Sequence, residues 1–524
     1  MRRALSLLPI AIAVTIAGCG SSSRQPTVVA AKQLAPYAND RSAVTGHVVA
    51  AHDTGTVVAS LGFELGRDGF SFENYGFIAG VEIDQHAMRE LFGNGVCAGA
   101  ASDSCTLTPA AQQWAAQTDA AMAGGHCFGF SVTALRFFTH RLDPTQFGGP
   151  TTFSLQFSPQ LQSELAYGWS MQELAAVRRA DIADTPTRTI QFLEQALADH
   201  GGEVYTIGIF KPDGSDGHAV TPIAVENLGG GQYQIDIYDN NYPDTPRAIS
   251  VNTTNDSWTY NAAPNPSDPA GVYSGQGTTN PMNLEPLTAG LGAQPCPFCG
   301  TAGASRQGML RISLGGNPVN HGHLLITTAD GKRIGYVGGR FVNDIPGAGV
   351  FQPYLNQDWN AQPEPIYEIP AGGPVEVALD GGNANGADAA SVYVTGPGFG
   401  ATVVDLKPAA GFDDRITVGA GGSGLALHAS TGTSGTAPTM QLARNLGASG
   451  SELTATPQSL TAGASLGIAL MPASHRLSVT SSGTATTGPV ALSLRRVGPA
   501  GVHTEHSTVV LGNGQMKALT LGNG

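Results

Sequence analysis

Charge is scarce in this sequence: Asp, Glu, Lys and Arg make up 13% of its 524 residues. Basic residues are scarcer than acidic ones, 26 against 40, and the formal net charge is −14. A chain of that sign repels phosphate backbones and anionic lipid headgroups, which argues against nucleic acid and against a polybasic membrane surface as partners. Beyond the N-terminus no apolar run is long enough to span a bilayer. What the chain has instead is glycine, 70 residues of it, with a hydrophobic content of 41%. That composition is globular and points to many turns and β structure. The length suggests two or three domains.

Residues 1–19 read as an export signal. Arg2 and Arg3 precede an apolar run from Ala4 to Ile16, and the run ends Ile16-Ala17-Gly18-Cys19. That ending resembles a bacterial lipobox, which implies that Cys19 is lipid-modified and becomes the mature N-terminus. A plain cleaved signal and an uncleaved anchor are the alternatives. Gly20-Ser21-Ser22-Ser23 has the composition of a flexible tether, and residues 20–45 read as a linker. The expected location is the bacterial cell envelope, lipid-anchored on the exported side of the membrane.

Export implies an oxidising compartment, where close cysteines pair. Of the six, Cys97 and Cys105 sit eight apart across a Gly/Ala/Ser loop, and Cys296-Pro297-Phe298-Cys299 is a second close pair. Two disulfides are expected. For the second pair a zinc site with His321 and His323 and a redox motif are the alternatives. With Cys19 lipidated, Cys127 is the thiol left over, either a buried filler or a reactive group.

Elements follow from period and punctuation. Asp84 and Thr108-Pro109 read as helix starts. Gly124-Gly125 stop the second helix, and a third starts at Cys127. Residues 155–200 are helical by period, with a further start at Thr185-Pro186. From Val204 the period changes to two: Val204–Phe210, Gly217–Val225 and Tyr233–Asp239 read as strands, and Pro222 demands an edge or a bulge. After about Pro353 short strand candidates recur between turn signals, which suggests one or two sandwich-like modules.

The chemistry-bearing stretch is Gly124-Gly125-His126-Cys127-Phe128-Gly129-Phe130-Ser131, a small-residue turn running into an apolar helix. A thiol at a helix N-terminus meets the positive end of the macrodipole, which favours a thiolate nucleophile. The free N–H groups there can steady an oxyanion. His218, opening a strand after a Gly, is the candidate base. Asp239 or Asn240 follows it across a hairpin that returns its end beside its beginning, and Asp239 is favoured as the orienter.

Cys127 on a helix, His218 in Gly-His-Ala-Val on a strand and Asp239-Asn240 on the next strand resemble the papain-like cysteine peptidases in order and placement. The resemblance covers about residues 80–260. It implies Cys127 as nucleophile, His218 as general base and acid, and Asp239 or Asn240 as orienter. The family's oxyanion Gln has no counterpart close to the Cys: Gln117 is the nearest, with Gln112 and Gln113 further off. Phe128-Gly129 stands where a Trp commonly follows the Cys.

The expected fold class is an α+β papain-like domain, a helical half plus an antiparallel sheet, over residues 46–350. All-β sandwich-like modules follow over 351–524. The expected function is a cysteine hydrolase acting on peptide or amide bonds, with no cofactor and no metal. A transglutaminase-like acyltransferase would use the same residues. The alternative of another class is a non-catalytic envelope binding or adhesion protein. The expected partners are a peptide or protein substrate, the membrane through the lipid anchor, and a protein or glycan ligand for the C-terminal modules.

Overall fold

A computed structural model describes residues 55–76, 82–99, 105–263, 271–303, 307–318, 320–355, 364–382, 386, 388–411, 413–430, 437–471, 476–483 and 488–520. The export signal, Cys19 and the linker over 20–45 lie outside the described residues.

Two of the helices begin where a side-chain oxygen and a favoured cap residue announce them. Helix α1, Gln85–Phe92, is capped by Asp84, whose carboxylate accepts the His86 and Ala87 N–H groups. Helix α2, Pro109–Ala121, is capped by Thr108 and has its Pro in the first turn. Helix α3, Cys127–Phe138, is buried along almost its whole length. Helices α4, Pro159–Ser170, and α5, Pro186–Ala196, follow, with the short helix Ala175–Ala180 between them. Helices α3 and α4 cross at glycine on both sides. A Cβ on Gly129 would sit 2.2 Å from the Leu165 carbonyl oxygen, and one on Gly168 would sit 3.0 Å from the Gly129 carbonyl oxygen. The glycine after Phe128 is therefore required by helix packing.

One nine-stranded antiparallel sheet supports these helices. Its strands are β1 (Thr56–Ser60), β2 (Tyr205–Phe210), β3 (Gly217–Gly229), β4 (Gln232–Tyr238), β5 (Arg247–Asn252), β6 (Ser257–Asn261), β7 (Val272–Gln276), β8 (Asn283–Pro286) and the two-residue strand Ile182–Ala183. The order is β7-β6-β5-β4-β3-β2-β8 and then Ile182–Ala183, with β1 also on β3. Pro222 lies inside β3, where a donor is missing, and the register shifts between Pro222 and Ala224 as a bulge. The β3–β4 turn uses Gly229, Gly230 and Gly231, all at positive φ.

Two further nine-stranded antiparallel sheets form the rest. One runs from Gly349–Phe351 at one edge to Gly501–Val509 at the other, and the second from Arg340–Asn343 to Met516–Thr520. Alternate residues point inward: Val375, Val377 and Leu379 on one strand, Leu477 and Val479 on another. Residues of both sheets share one apolar core, separate from that of the first sheet and its helices. The strands from Met309 onward belong to these two sheets: Met309–Gly315 pairs with Ile366–Pro370 and with Ala390–Gly396. Helix α2 bridges the two cores. Gln117 donates to Ser313 Oγ at 2.7 Å and accepts from Thr395 Oγ1 at 3.2 Å, and Asn445 bonds both the Thr108 hydroxyl and the Ala110 N–H.

These sheets overturn the expected α+β papain-like fold class. Strand outweighs helix, 42% to 22%, in four antiparallel sheets, the fourth a two-stranded ribbon around Cys97 and Cys105. The physical reason is that short helices stand beside three nine-stranded sheets. The segment over 155–200 breaks into short helices, and α2 is buried on both sides between the first sheet's core and the sandwich. The C-terminal part is β-rich. Among the described residues no helix is long and apolar enough to cross a membrane.

Candidate active site

Cys127 is the first residue of α3 and is fully buried. The first i to i−4 bond of that helix runs from the Phe130 N–H to the His126 carbonyl. The N–H groups of Cys127, Phe128 and Gly129 therefore precede the helical ladder. They lie at the same helix end as the Cys127 side chain.

His218, on β3, is also fully buried. Its Nε2 lies 2.9 Å from Asp239 Oδ1, just past the end of the neighbouring strand β4. That bond makes Nε2 the donor to Asp239 and leaves Nδ1 as the nitrogen not bound by the carboxylate. Nδ1 makes no full hydrogen bond among the described residues. The Cys127 sulfur contributes to raising the pKa of the ring.

Asp239 is held on every side. Oδ1 also accepts the Asn241 N–H at 2.9 Å, and Oδ2 accepts the Tyr260 hydroxyl. Arg247 Nε donates in turn to the Tyr260 oxygen at 3.2 Å. Burial pushes the Asp239 carboxyl up, but His218, Tyr260 and the Asn241 N–H outweigh it, and the net is below the usual carboxylate range. For His218 burial pushes the pKa down. The Asp239 carboxylate and the neighbouring sulfur more than offset it, and the net is a rise to about 10. The resting ring is an imidazolium at neutral pH.

Asn240, the other candidate orienter, does different work. Its Nδ2 donates to the Cys127 carbonyl at 3.1 Å and to the Ala219 carbonyl at 2.9 Å. It pins the first turn of α3 to β3. His126 faces away from His218. Its Nδ1 meets the Tyr75 carbonyl at 2.8 Å, its Nε2 lies 2.7 Å from Glu82 Oε2, and the Tyr75 ring stacks on it at 4.2 Å. Its N–H donates to Asn74 Oδ1, which ties the loop before residue 77 to the start of α3.

Gln117 and Gln113 are committed to the interface with the sandwich, and Gln112 is exposed. Another buried glutamine, Gln172, accepts the Tyr354 N–H at 2.7 Å. Tyr354 itself, 227 residues along the chain from Cys127, presents its carbonyl oxygen 3.6 Å from the sulfur. Sequence reasoning missed Tyr354, Gln172 and Tyr260. Tyr260 is one inward residue of an alternating strand, with nothing in the pattern to set it apart. Tyr354 has no local signal at all.

Cys97–Cys105 and Cys296–Cys299 are disulfides, and Cys127 is the free thiol among the described residues. Cys296 and Cys299 are thus not offered to a metal with His321 and His323. His323 Nδ1 lies 2.9 Å from Glu364 Oε2, and His321 Nδ1 lies 2.7 Å from the Gly322 carbonyl oxygen.

Set against known protein families, curated proteins and solved structures, the chain matches none of them.

Proposed function

We propose that this chain is a cysteine hydrolase of peptide or amide bonds, working through Cys127, His218 and Asp239. The observation that carries the reading is the fully buried 2.9 Å contact of His218 with Asp239, beside a thiol at the start of a helix. In the first step the Cys127 sulfur attacks the substrate carbonyl carbon, and the N–H groups at the start of α3 stabilise the oxyanion. His218 gives its proton to the leaving amine, and a thioester remains. Water then attacks the thioester and gives one proton to His218, the acid leaves carrying the other, and the sulfur is left as a thiolate beside the protonated ring, ready for the next attack. Asp239 holds the ring and its charge throughout, and Tyr260 holds Asp239.

Export and lipid anchoring through Cys19 belong to the same proposal. The two disulfides support an oxidising compartment. In that setting the substrate is a peptide or protein of the envelope or its surroundings, and the β-rich C-terminal part engages a protein or glycan.

A second reading, a non-catalytic envelope binding protein, is favoured by one observation: neither Cys127 nor His218 is exposed. Turnover of peptidyl amides in oxygen-18 water separates the two. The hydrolase is expected to place one labelled oxygen in each product carboxylate. No product from either the native chain or a Tyr354→Gly chain would leave the binding protein. Product formed only with an added amine would point to acyl transfer instead.

A further inference from the structure

The burial of Cys127 has a specific cause. Residues Gly349–Phe351 form an edge strand of the sandwich, paired with Ile366–Pro370. The chain then leaves that sheet and lays residues 352–355 over the sulfur. Every part of Tyr354 is gripped. Its N–H donates to Gln172 Oε1 at 2.7 Å, and its carbonyl oxygen is 3.6 Å from Cys127 Sγ. Its ring stacks on Phe128, with centroids 5.9 Å apart at 16°, and meets Phe210 at 4.9 Å. Gly208 makes room for it, since a Cβ there would sit 2.1 Å from the ring. The hydroxyl donates to Glu285 Oε1 at 2.6 Å and accepts from Asn283 Nδ2 at 2.8 Å.

We propose that the Tyr354 pocket is the subsite for the acyl-side residue of a substrate, selective for a tyrosyl side chain, and that residues 352–355 are its built-in occupant. This rests on the hydrolase reading. Tyr354 brings its carbonyl to the nucleophile oxygen first, as an occupant that is not cleaved, and its side chain fills the pocket beside the nucleophile, the place an acyl-side residue takes. The pocket's far end is polar and buried, which suits a phenol and disfavours a phenyl ring. A phenylalanine there would leave the Glu285 carboxyl and the Asn283 amide unpaired, and sites built to bond a hydroxyl reject analogues lacking it.

Two more observations point to a ligand. The space continues past the ring as a cavity of ≈ 230 Å³, lined by Gln172, Asp181, Asn283 and Glu285 among others. Glu285 Oε2 and Gln172 Nε2, both buried, have no hydrogen-bond partner among the described residues. The subsite thus has unused polar capacity beyond the phenol. Because the occupant enters from the sandwich, a substrate must displace it to reach Cys127.

The test is alkylation of Cys127 by iodoacetamide in the full chain with both disulfides intact, read by mass. Three chains are compared: native, Tyr354→Phe, which keeps the packing, and Tyr354→Gly, which empties the pocket. Labelling is expected to be at least tenfold faster in Tyr354→Gly than in the native chain, with Tyr354→Phe between them. In Tyr354→Gly, N-acetyl-tyrosinamide should slow labelling several-fold more than N-acetyl-phenylalaninamide at the same concentration. Equal rates in all three chains, or equal protection by the two amides, overturns the subsite. Expected labelling and protection without amide cleavage would remove the hydrolase reading and leave a phenol pocket beside Cys127. Cleavage of amides with native-like labelling in all three chains would do the reverse.

Discussion

Cys127→Ser is expected to lower amide turnover by at least about 10³-fold while leaving the fold intact. A serine hydroxyl is a far weaker nucleophile than a cysteine sulfur, and a protonated His218 ring has no vacant nitrogen with which to activate an alcohol. The structural cost is small. The sulfur contacts the Tyr354 carbonyl at 3.6 Å. Swapping it for oxygen at the start of α3 changes stability by about 1 kcal/mol. Turnover and urea unfolding on the same preparation check both halves. Residual turnover within tenfold of native would remove Cys127 as the nucleophile.

The second large effect concerns Asp239. Asp239→Ala is expected to destabilise the chain by about 3–5 kcal/mol, because it leaves the buried His218 ring, the Tyr260 hydroxyl and the Asn241 N–H without their partner. Asp239→Asn costs less, since burial then drives the ring neutral, but turnover should fall about 10²–10⁴-fold through loss of the acid–base partner. The pH dependence follows from the sign of each shift. His218 is raised, so its stabilising contribution is fully present below the ordinary imidazole pKa of about 6.5 and is lost as the pH climbs through about 10. Asp239 is lowered, so its contribution is present above the ordinary carboxylate pKa and is lost as the pH falls through the depressed one. The native urea midpoint should decline between pH 7 and 10, and in Asp239→Asn that decline should flatten. A variant with the native slope would mean that the pair carries no charge.

Part of this geometry is legible in the sequence because it is local. Helix caps announce themselves: Asp84 and Thr108-Pro109 do so by residue type alone. The β3–β4 hairpin is short enough for residue counting to carry Asp239 back toward His218, and three consecutive glycines mark its turn. What counting cannot resolve is which of two adjacent polar residues faces the ring. Asp239 turns to His218 and Asn240 to two backbone carbonyls.

The fold class went astray for a different reason. Helical period in 155–200 says that helices exist, not that they pack together as a half-domain. Strands such as Phe399–Leu406 and Ser449–Pro457 carry Gly, Ala, Ser and Thr, which blur alternation. Gln117 shows the same limit at a single residue. Its place upstream of Cys127 invites an oxyanion role, but Ser313 and Thr395, nearly 200 and 280 residues away, claim its amide. Tyr354 reaches the sulfur only through the tertiary fold.

Acid-quenching a tyrosyl amide reaction in the Tyr354→Gly chain and weighing the peptide that contains Cys127 tests the central claim most directly. The expected result is that peptide heavier by the acyl group, with the added mass lost on treatment with hydroxylamine and absent in Cys127→Ser. Amide cleaved while Cys127 stays unmodified at every quench time, or the acyl group found on another residue, would contradict it.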